Sequence, residues 1–164
     1  MIGHGMMGNW HSQALAKHDC VLDTLVGRRE EPTKAFAEAH GYRRWTLSLD
    51  DALADPEIDI VIIASPSEQH PDHAIRSLKA GKHTLIEIPI AMNLKDAERV
   101  VAVGEASGKS YGLCHPMRFR RERDPLKARL LAGEENLRHL AGRFFIKRLT
   151  NVGATGYERS WTDN

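Results

Sequence analysis

The sequence has few of the features that mark specialised protein classes. Its longest apolar runs have only the length of a strand, such as residues 58–64, so no transmembrane helix is expected. The first residues contain no apolar segment of the kind that a signal peptide requires. The two cysteines, Cys20 and Cys114, are far apart and form no CxxC pair. These absences predict a cytoplasmic protein whose two thiols are reduced and buried.

The sequence also lacks a charge excess of either sign. It has 23 basic and 22 acidic residues and a net charge of +1, so bulk electrostatics indicates neither a nucleic-acid partner nor a membrane partner. The 164 residues are 41% hydrophobic and 27% charged, an ordinary composition for a globular chain. A length of this size corresponds to about one domain with a substantial core.

A glycine-rich segment near the start is the strongest local signal. It reads GxGxxG and comprises Gly3, His4, Gly5, Met6, Met7 and Gly8. In a dinucleotide-binding loop the first glycine permits a tight turn, the second lets the backbone approach the pyrophosphate, and the third lets the helix pack on the strand. The helix N-terminus then attracts the anion. The alternative is an ordinary glycine turn. Only Met1 and Ile2 precede the motif, so a truncated first strand is expected.

Strand and helix patterns alternate after this motif. Predicted strands cover residues 20–26, 44–47, 59–64, 83–87 and 110–114, and predicted helices cover 8–17, 31–40, 48–53, 71–80, 94–107 and 124–132. In the first helix, Trp10, Ala14 and Leu15 are expected to face the sheet. This alternation predicts an α/β fold with a doubly wound parallel sheet of the Rossmann type.

The pattern changes after the last predicted helix. Residues 138–150 alternate like one long strand, and no helix follows. We interpret residues 1–119 as a dinucleotide-binding domain with a truncated first strand. Residues 120–164 then form a linker helix and the first strand of an incomplete second α+β domain, which would bind substrate and support oligomers. Both ends of the chain are thus expected to be truncated.

Several motifs, in the same order along almost the whole chain, resemble the N-terminal domain of the glucose–fructose oxidoreductase / inositol dehydrogenase (Gfo/Idh/MocA) family. They are the glycine loop, Asp50-Asp51-Ala52-Leu53, Asp59-Ile60-Val61-Ile62-Ile63, Ser65-Pro66…His70, Ala80-Gly81-Lys82-His83 and Glu87-Ile88-Pro89. The resemblance implies an NAD(P)-dependent dehydrogenase that transfers a hydride between nicotinamide and a hydroxy or hemiacetal carbon of a small substrate. It also implies a homo-oligomer. The family's acid/base histidines would fall beyond Asn164, so the catalytic residues are unknown.

Within the family, the sequence looks most like the 4-carboxy-2-hydroxymuconate-6-semialdehyde dehydrogenases, which act in aromatic compound degradation. The motifs that carry this likeness are Glu87-Ile88-Pro89, His115…Arg118-Phe119 and Arg159-Ser160-Trp161-Thr162-Asp163. The family commonly has Glu-Lys-Pro where this chain has Ile88, and isoleucine cannot replace that lysine chemically. The resemblance makes His115, Arg118, Arg159 and Trp161 the predicted substrate contacts. Arg118 suits a carboxylate, because a guanidinium binds it in a forked geometry.

The end of the second predicted strand bears on the choice of cofactor. A carboxylate there would hydrogen-bond the ribose 2′-hydroxyl and favour NAD, but this chain has Gly27 followed by Arg28 and Arg29. Guanidinium groups suit a 2′-phosphate. We therefore predict NADP as the preferred cofactor, with NAD possible. The alternative is that both arginines are merely solvated surface charges.

Two turns at the carboxyl ends of the predicted strands complete the expected cofactor site. Ser65, Pro66 and His70 follow one strand, and Glu87, Ile88 and Pro89 follow the next. Ligands of open α/β sheets bind at this edge. The resembled families often have a cis peptide bond before the proline. No metal is predicted, since His70 and His73 have no evident third ligand.

Two alternatives remain open at this stage. Cys114 beside His115 could suggest a covalent nucleophile and its base, but adjacent residues on a strand point to opposite faces. The chain could also be a truncated, catalytically inactive nucleotide-binding or interaction module, in which the 138–150 strand is an exposed edge.

Overall fold

The computed structural model describes residues 1–121, 124–136 and 138–139. Met1–Cys114 lie in one compact unit, and the described residues from His115 onward belong to a second. No helix in the described part of the chain has the length and apolar character needed to cross a membrane.

All strand pairs in the first unit are parallel. The strands are β1 (Thr24–Val26), β2 (Arg44–Thr46), β3 (Ile60–Ile63), β4 (His83–Glu87) and β5 (Tyr111–Cys114). β1 pairs with β2, β4 lies between β3 and β5, and Ile2 bridges Val26 on one side and Ile63 on the other. The spatial order is therefore β2–β1–Ile2–β3–β4–β5. This order confirms the predicted doubly wound parallel sheet.

The short segment before the glycine loop takes the central position in this sheet. The Ile2 amide donates to Ile62 O at 2.8 Å, and the Ala64 amide donates to Ile2 O at 2.8 Å. On the other side, the Val26 amide donates to Met1 O and the Gly3 amide to Val26 O, at 2.8 and 2.9 Å. The truncated first strand that the sequence predicts therefore disturbs the sheet less than expected, because two residues are enough to join its two halves.

Helices connect the strands as the alternating pattern predicts. They are α1 (Met6–Leu15), α2 (Glu30–His40), α3 (Leu49–Ala54), α4 (His70–Lys79) and α5 (Leu94–Ser107), with α6 (Asp124–Leu131) in the second unit. Side-chain caps define two of the starts: Ser48 accepts from the Asp51 amide, and Asn93 accepts from the Asp96 amide.

The core of the first unit lies between the sheet and its helices. Ile63 and Ile86 of the sheet are fully buried together with Ala74 of α4 and Val100 of α5. The prediction for α1 is wrong, since Trp10 is 59% exposed and the buried positions of this helix are Gly8 and Ser12. The glycine loop brings α1 so close to the sheet that only small side chains fit between them.

The cysteines also differ from expectation. Cys20 is exposed, because it follows α1 at the surface, and Cys114 is partly buried at the end of β5. The predicted strand 138–150 falls almost entirely outside the described residues, and its first two residues have no regular structure. The division into domains at residue 119 stays a prediction.

Candidate functional site

The glycine loop lies at the point where the strand order reverses, and its three glycines meet different demands. Gly3 has a φ of +96°, and a Cβ there would lie 2.5 Å from Ala64 O. A Cβ on Gly8 would overlap the carbonyl oxygen of Gly3. A Cβ on Gly5 would meet no atom within 4 Å. The first and third positions therefore need glycine for packing, while Gly5 borders open space.

That open space adjoins the N-terminus of α1. Gly5 is the N-cap of this helix, and no side chain caps it. The first turn contains no acidic residue. The positive end of the helix dipole is therefore available to an anion beside Gly5. Met6 and Met7 form the first turn, with Met6 exposed and Met7 partly buried.

The end of β1 forms the next part of the site. Gly27 is buried, and a Cβ there would overlap Thr33 of α2. Thr33 Oγ1 donates to Arg29 O at 2.6 Å and lies 3.2 Å from His4 Nε2. The tight approach of β1 to α2 thus fixes the backbone of Arg29 beside the glycine loop. The position at which NAD-binding folds place an acidic residue carries none here.

Arg28 and Arg29 extend from this point into solvent. Both are exposed, and within the described part of the chain neither guanidinium takes part in an ion pair. Both lie close enough to His4 to affect it: burial of His4 lowers the pKa of its imidazole, and the two guanidinium charges lower it further. A local positive field therefore exists where a 2′-phosphate is expected.

The turn after β3 brings Ser65 and Pro66 to the same sheet edge, where both are partly buried. Ser65 Oγ lies 2.9 Å from His73 Nδ1. Burial lowers the pKa of His73, with smaller contributions from nearby charges. His70 is only 1% exposed. Its Nε2 lies 2.8 Å from Ser65 O and its Nδ1 lies 2.7 Å from Pro89 O, so both ring nitrogens face backbone carbonyls.

The segment after β4 contains the cis Ile88–Pro89 peptide bond that the resemblance led us to expect. Ile88 is 41% exposed and Pro89 partly buried. Glu87 is only 5% exposed. Its Oε1 lies 2.7 Å from His11 Nε2, and its Oε2 accepts from the Ile88 amide at 3.2 Å.

The Glu87 carboxylate also interacts with the Cys114 thiol. Burial pushes the pKa of Glu87 upward, but hydrogen bonds from His11 and Cys114 outweigh it and the pKa lies below its ordinary value. Burial and the same carboxylate raise the pKa of Cys114 to about 11. A thiol with this pKa is protonated at neutral pH, which argues against Cys114 as a covalent nucleophile.

The same three side chains are the described residues that could hold a metal ion. One donor atom each from His11, Glu87 and Cys114 lies within 4.8 Å of the others. In the structure they satisfy one another by hydrogen bonds. The arrangement connects α1, β4 and β5 at the sheet edge.

Sequence reasoning missed His11 and Thr33. His11 lies three residues after the last glycine of the motif, so helical spacing places it on the same side of α1 as Gly8. His11 could have been predicted from that spacing. No sequence pattern points to Thr33, because its role depends on the close approach of Gly27.

Two of the four predicted substrate contacts lie within the described residues, in one short turn. His115 and Arg118 belong to the second unit, are exposed, and lie in or next to the short 3₁₀ turn Pro116–Phe119, where the Arg118 amide donates to His115 O at 3.0 Å. Arg159 and Trp161 lie outside the described residues.

Comparison with known proteins gives consistent matches. The sequence model of an oxidoreductase family with an NAD-binding Rossmann fold, Gfo/Idh/MocA, matches residues 1–115. The 4-carboxy-2-hydroxymuconate-6-semialdehyde dehydrogenase of Sphingobium sp. (strain NBRC 103272 / SYK-6) is 30% identical over 165 residues, which cover 100% of this chain and 52% of that protein. The chain thus spans about half the length of this relative.

Solved structures agree. The biliverdin reductase of Synechocystis sp. PCC 6803, determined with biliverdin and NADP⁺, superposes with a TM-score of 0.69 at 25% identity, over 79% of this chain and 41% of that one. A levoglucosan dehydrogenase determined with NADH also superposes with a TM-score of 0.69 at 25% identity, over 81% of this chain and 38% of that one. The two bound cofactors differ, so the likeness supports a nicotinamide cofactor without choosing between NADP and NAD.

Proposed function

The chain belongs to the Gfo/Idh/MocA family of oxidoreductases, and on that premise we propose that it forms the cofactor-binding part of an NADP-dependent dehydrogenase. The observation that carries the proposal is the glycine loop. Gly3 and Gly8 are packed against backbone, whereas Gly5 faces open space beside an uncapped helix N-terminus. This geometry suits a pyrophosphate.

The preference for NADP rests on the residues after β1. Arg28 and Arg29 are exposed beside His4, and no carboxylate occupies the position that would bind a ribose 2′-hydroxyl. A guanidinium can donate two parallel hydrogen bonds to a phosphate. We propose that one or both arginines hold the 2′-phosphate of NADP.

The remaining contacts follow from the sheet edge. We propose that Ser65 and Pro66 line the cofactor, and that Glu87, Ile88 and Pro89 lie on the nicotinamide side. A bound nicotinamide supplies the hydride chemistry, and this chain's residues bind and orient the cofactor. His70 does not fit a direct contact, because both its ring nitrogens are already engaged.

For the substrate we propose a small hydroxy or hemiacetal compound with carboxylate groups, such as a product of aromatic ring cleavage. The support is the match of the whole chain to the semialdehyde dehydrogenase. In this proposal Arg118 and His115, with Arg159 and Trp161, contact the substrate. A homo-oligomer is also proposed, and light scattering coupled to size-exclusion chromatography would measure it.

Isothermal titration with NADP and with NAD tests the cofactor proposal. We expect NADP to bind more tightly than NAD, and Arg28→Ala with Arg29→Ala to weaken NADP binding about 10–100-fold, the range for loss of charge-assisted hydrogen bonds. NAD binding should change little. Lys79→Ala is the matched control, since Lys79 is exposed at the far end of α4.

Two results would contradict this function. Equal loss of NADP and NAD affinity in the arginine variants would mean that these residues do not recognise the 2′-phosphate. Binding of neither cofactor by the folded chain would remove the cofactor-binding function itself. Binding without turnover of any hydroxy acid would instead favour the inactive nucleotide-binding module.

A further inference from the structure

His70 is buried between the two turns that follow β3 and β4. We propose that it is a positioning residue: its ring holds the Ser65–Pro66 turn and the Ile88–Pro89 turn together at the edge of the sheet. The inference rests on the proposed function, because these turns are the ones assigned to the cofactor. It gives His70 a role without direct contact with the ligand.

One carbonyl oxygen from each turn lies within hydrogen-bond distance of the ring. Nδ1 faces Pro89 O at 2.7 Å and Nε2 faces Ser65 O at 2.8 Å. A carbonyl oxygen only accepts, so a ring N–H is the donor in such a contact. The ring thus spans the gap between the two turns through its two nitrogens.

The bridge lies where the strand pairing stops. The ladder between β3 and β4 ends at the Ile63–Ile86 pair. Beyond this pair the two segments enter their turns, so the β3–β4 pairing no longer determines the distance between Ser65 and Pro89. The His70 ring replaces the missing ladder contacts with two side-chain hydrogen bonds.

The helix that carries the ring is packed in the core. His70 begins α4, and one and two turns further along this helix Ala74 and Leu78 are buried in the core at 0% and 1% exposure. His70, Ala74 and Leu78 are spaced four residues apart and therefore lie on one face of α4. The packing of this face in the core restricts the position of the ring, and the ring in turn restricts both turns. A binding edge needs such support from residues behind it.

Nuclear magnetic resonance of the ligand-free chain, labelled with ¹⁵N, tests the bridge itself. We expect His70→Gln to shift the backbone amide resonances around both Ser65 and Ile88 relative to the wild type. Shifts confined to one of the two turns would overturn the bridge without any reference to a cofactor.

Titration with NADP tests the positioning role. We expect His70→Ala to weaken NADP binding about tenfold or more, as expected for the loss of two hydrogen bonds that order the site. His70→Gln can keep one donor and should fall between His70→Ala and the wild type, and it serves if His70→Ala does not fold. Added imidazole should restore part of the affinity of His70→Ala.

Leu78→Ala is the matched control. It loosens the same helix by removing a buried side chain that makes no polar contact with either turn, so it should lower Tm and leave NADP affinity within about twofold well below that Tm. A wild-type affinity in His70→Ala, or an equal loss in Leu78→Ala, would overturn the positioning role alone. Binding of neither NADP nor NAD by the wild type would overturn the proposed function, and the positioning role with it.

Discussion

The three motif glycines look alike in the sequence, but the fold requires glycine at only two of these positions, Gly3 and Gly8, and for different reasons. Gly3 adopts a positive φ, which L-residues with a Cβ rarely adopt. Gly8 has ordinary helical geometry and is restricted only by contact with the Gly3 carbonyl. Gly5 has neither restriction. A glycine that the fold itself does not require is best explained by a ligand that needs the space.

This difference predicts opposite effects of two alanine substitutions. Gly8→Ala should destabilise the fold by about 1–3 kcal/mol through overpacking, although alanine favours a helix. Gly5→Ala should change stability by less than about 1 kcal/mol, the cost of a poorer N-cap. It should nevertheless weaken cofactor binding at least tenfold, because its Cβ enters the phosphate space.

Urea unfolding and cofactor titration of both variants provide the measurements. Each variant serves as the control for the other. Cofactor affinity retained in Gly5→Ala would contradict the assignment of the open space to a phosphate, whatever happens to stability.

At the scale of the elements, one buried carboxylate joins three of them. Glu87 ends β4, and it binds His11 from α1 and the Cys114 thiol from β5. These contacts connect α1, and therefore the glycine loop, to the edge of the sheet. The same carboxylate, together with burial, raises the pKa of the Cys114 thiol.

This network makes a prediction about thiol reactivity. With a pKa of about 11, roughly one Cys114 thiol in a thousand is ionised at pH 8. We expect iodoacetamide to modify exposed Cys20 quickly and Cys114 slowly. Glu87→Gln should accelerate the reaction of Cys114 several-fold, because it removes the negative charge that opposes the thiolate.

Mass spectrometry of alkylation time courses would measure both rates. Cys20→Ser should abolish the fast phase. Leu78→Ala controls for faster reaction through general destabilisation, since it leaves Glu87 intact. A Cys114 rate that is equal in Glu87→Gln and in the wild type would show that the carboxylate does not contribute to the raised pKa, which would then be due to burial alone.

At the scale of the whole molecule, the two halves of the sheet meet at Ile2. Ile2 is 4% exposed and belongs to the core, and the segment around it has backbone hydrogen bonds on both sides. In a polypeptide that begins at Met1, the amino group also becomes buried at this junction and donates to Thr24 O at 2.9 Å. Burial, only partly offset by Asp23, lowers the pKa of this amine from 8.0 to about 5.

This burial predicts a pH dependence of stability for such a polypeptide. Between pH 5 and 8 the unfolded amine binds a proton that the folded amine does not, so stability should rise with pH across this window. The gain is at most about 4 kcal/mol at 1.36 kcal/mol per unit of pKa. His4 and His73, whose pKa values are also lowered, should contribute in the same direction near pH 6.

Urea unfolding at several pH values between 5 and 8 would measure this slope. Acetylation of the amino group removes its charge and should flatten the slope, leaving the histidine contribution. Identical slopes with and without acetylation would show that the amine is not buried in the folded chain.

Much of the fold follows from local patterns. Strand β4 and helix α5 have the predicted bounds. Such features depend on the period of apolar residues and on capping residues within a few positions. The glycine loop could also be predicted from the sequence, because the glycines that it needs lie within six residues and directly precede a helix.

The sequence by itself therefore determined the order of the elements, the family and the sheet edge at which a ligand is expected. Tertiary structure alone decided that Trp10 is exposed, that His70 bridges two turns, and that His11 meets Glu87 and Cys114. Each of these depends on residues that are far apart in the chain and meet only after the sheet has formed. The physical reason is that local patterns specify which face of an element is apolar, whereas the partner of a buried polar group is set by the packing of several elements at once.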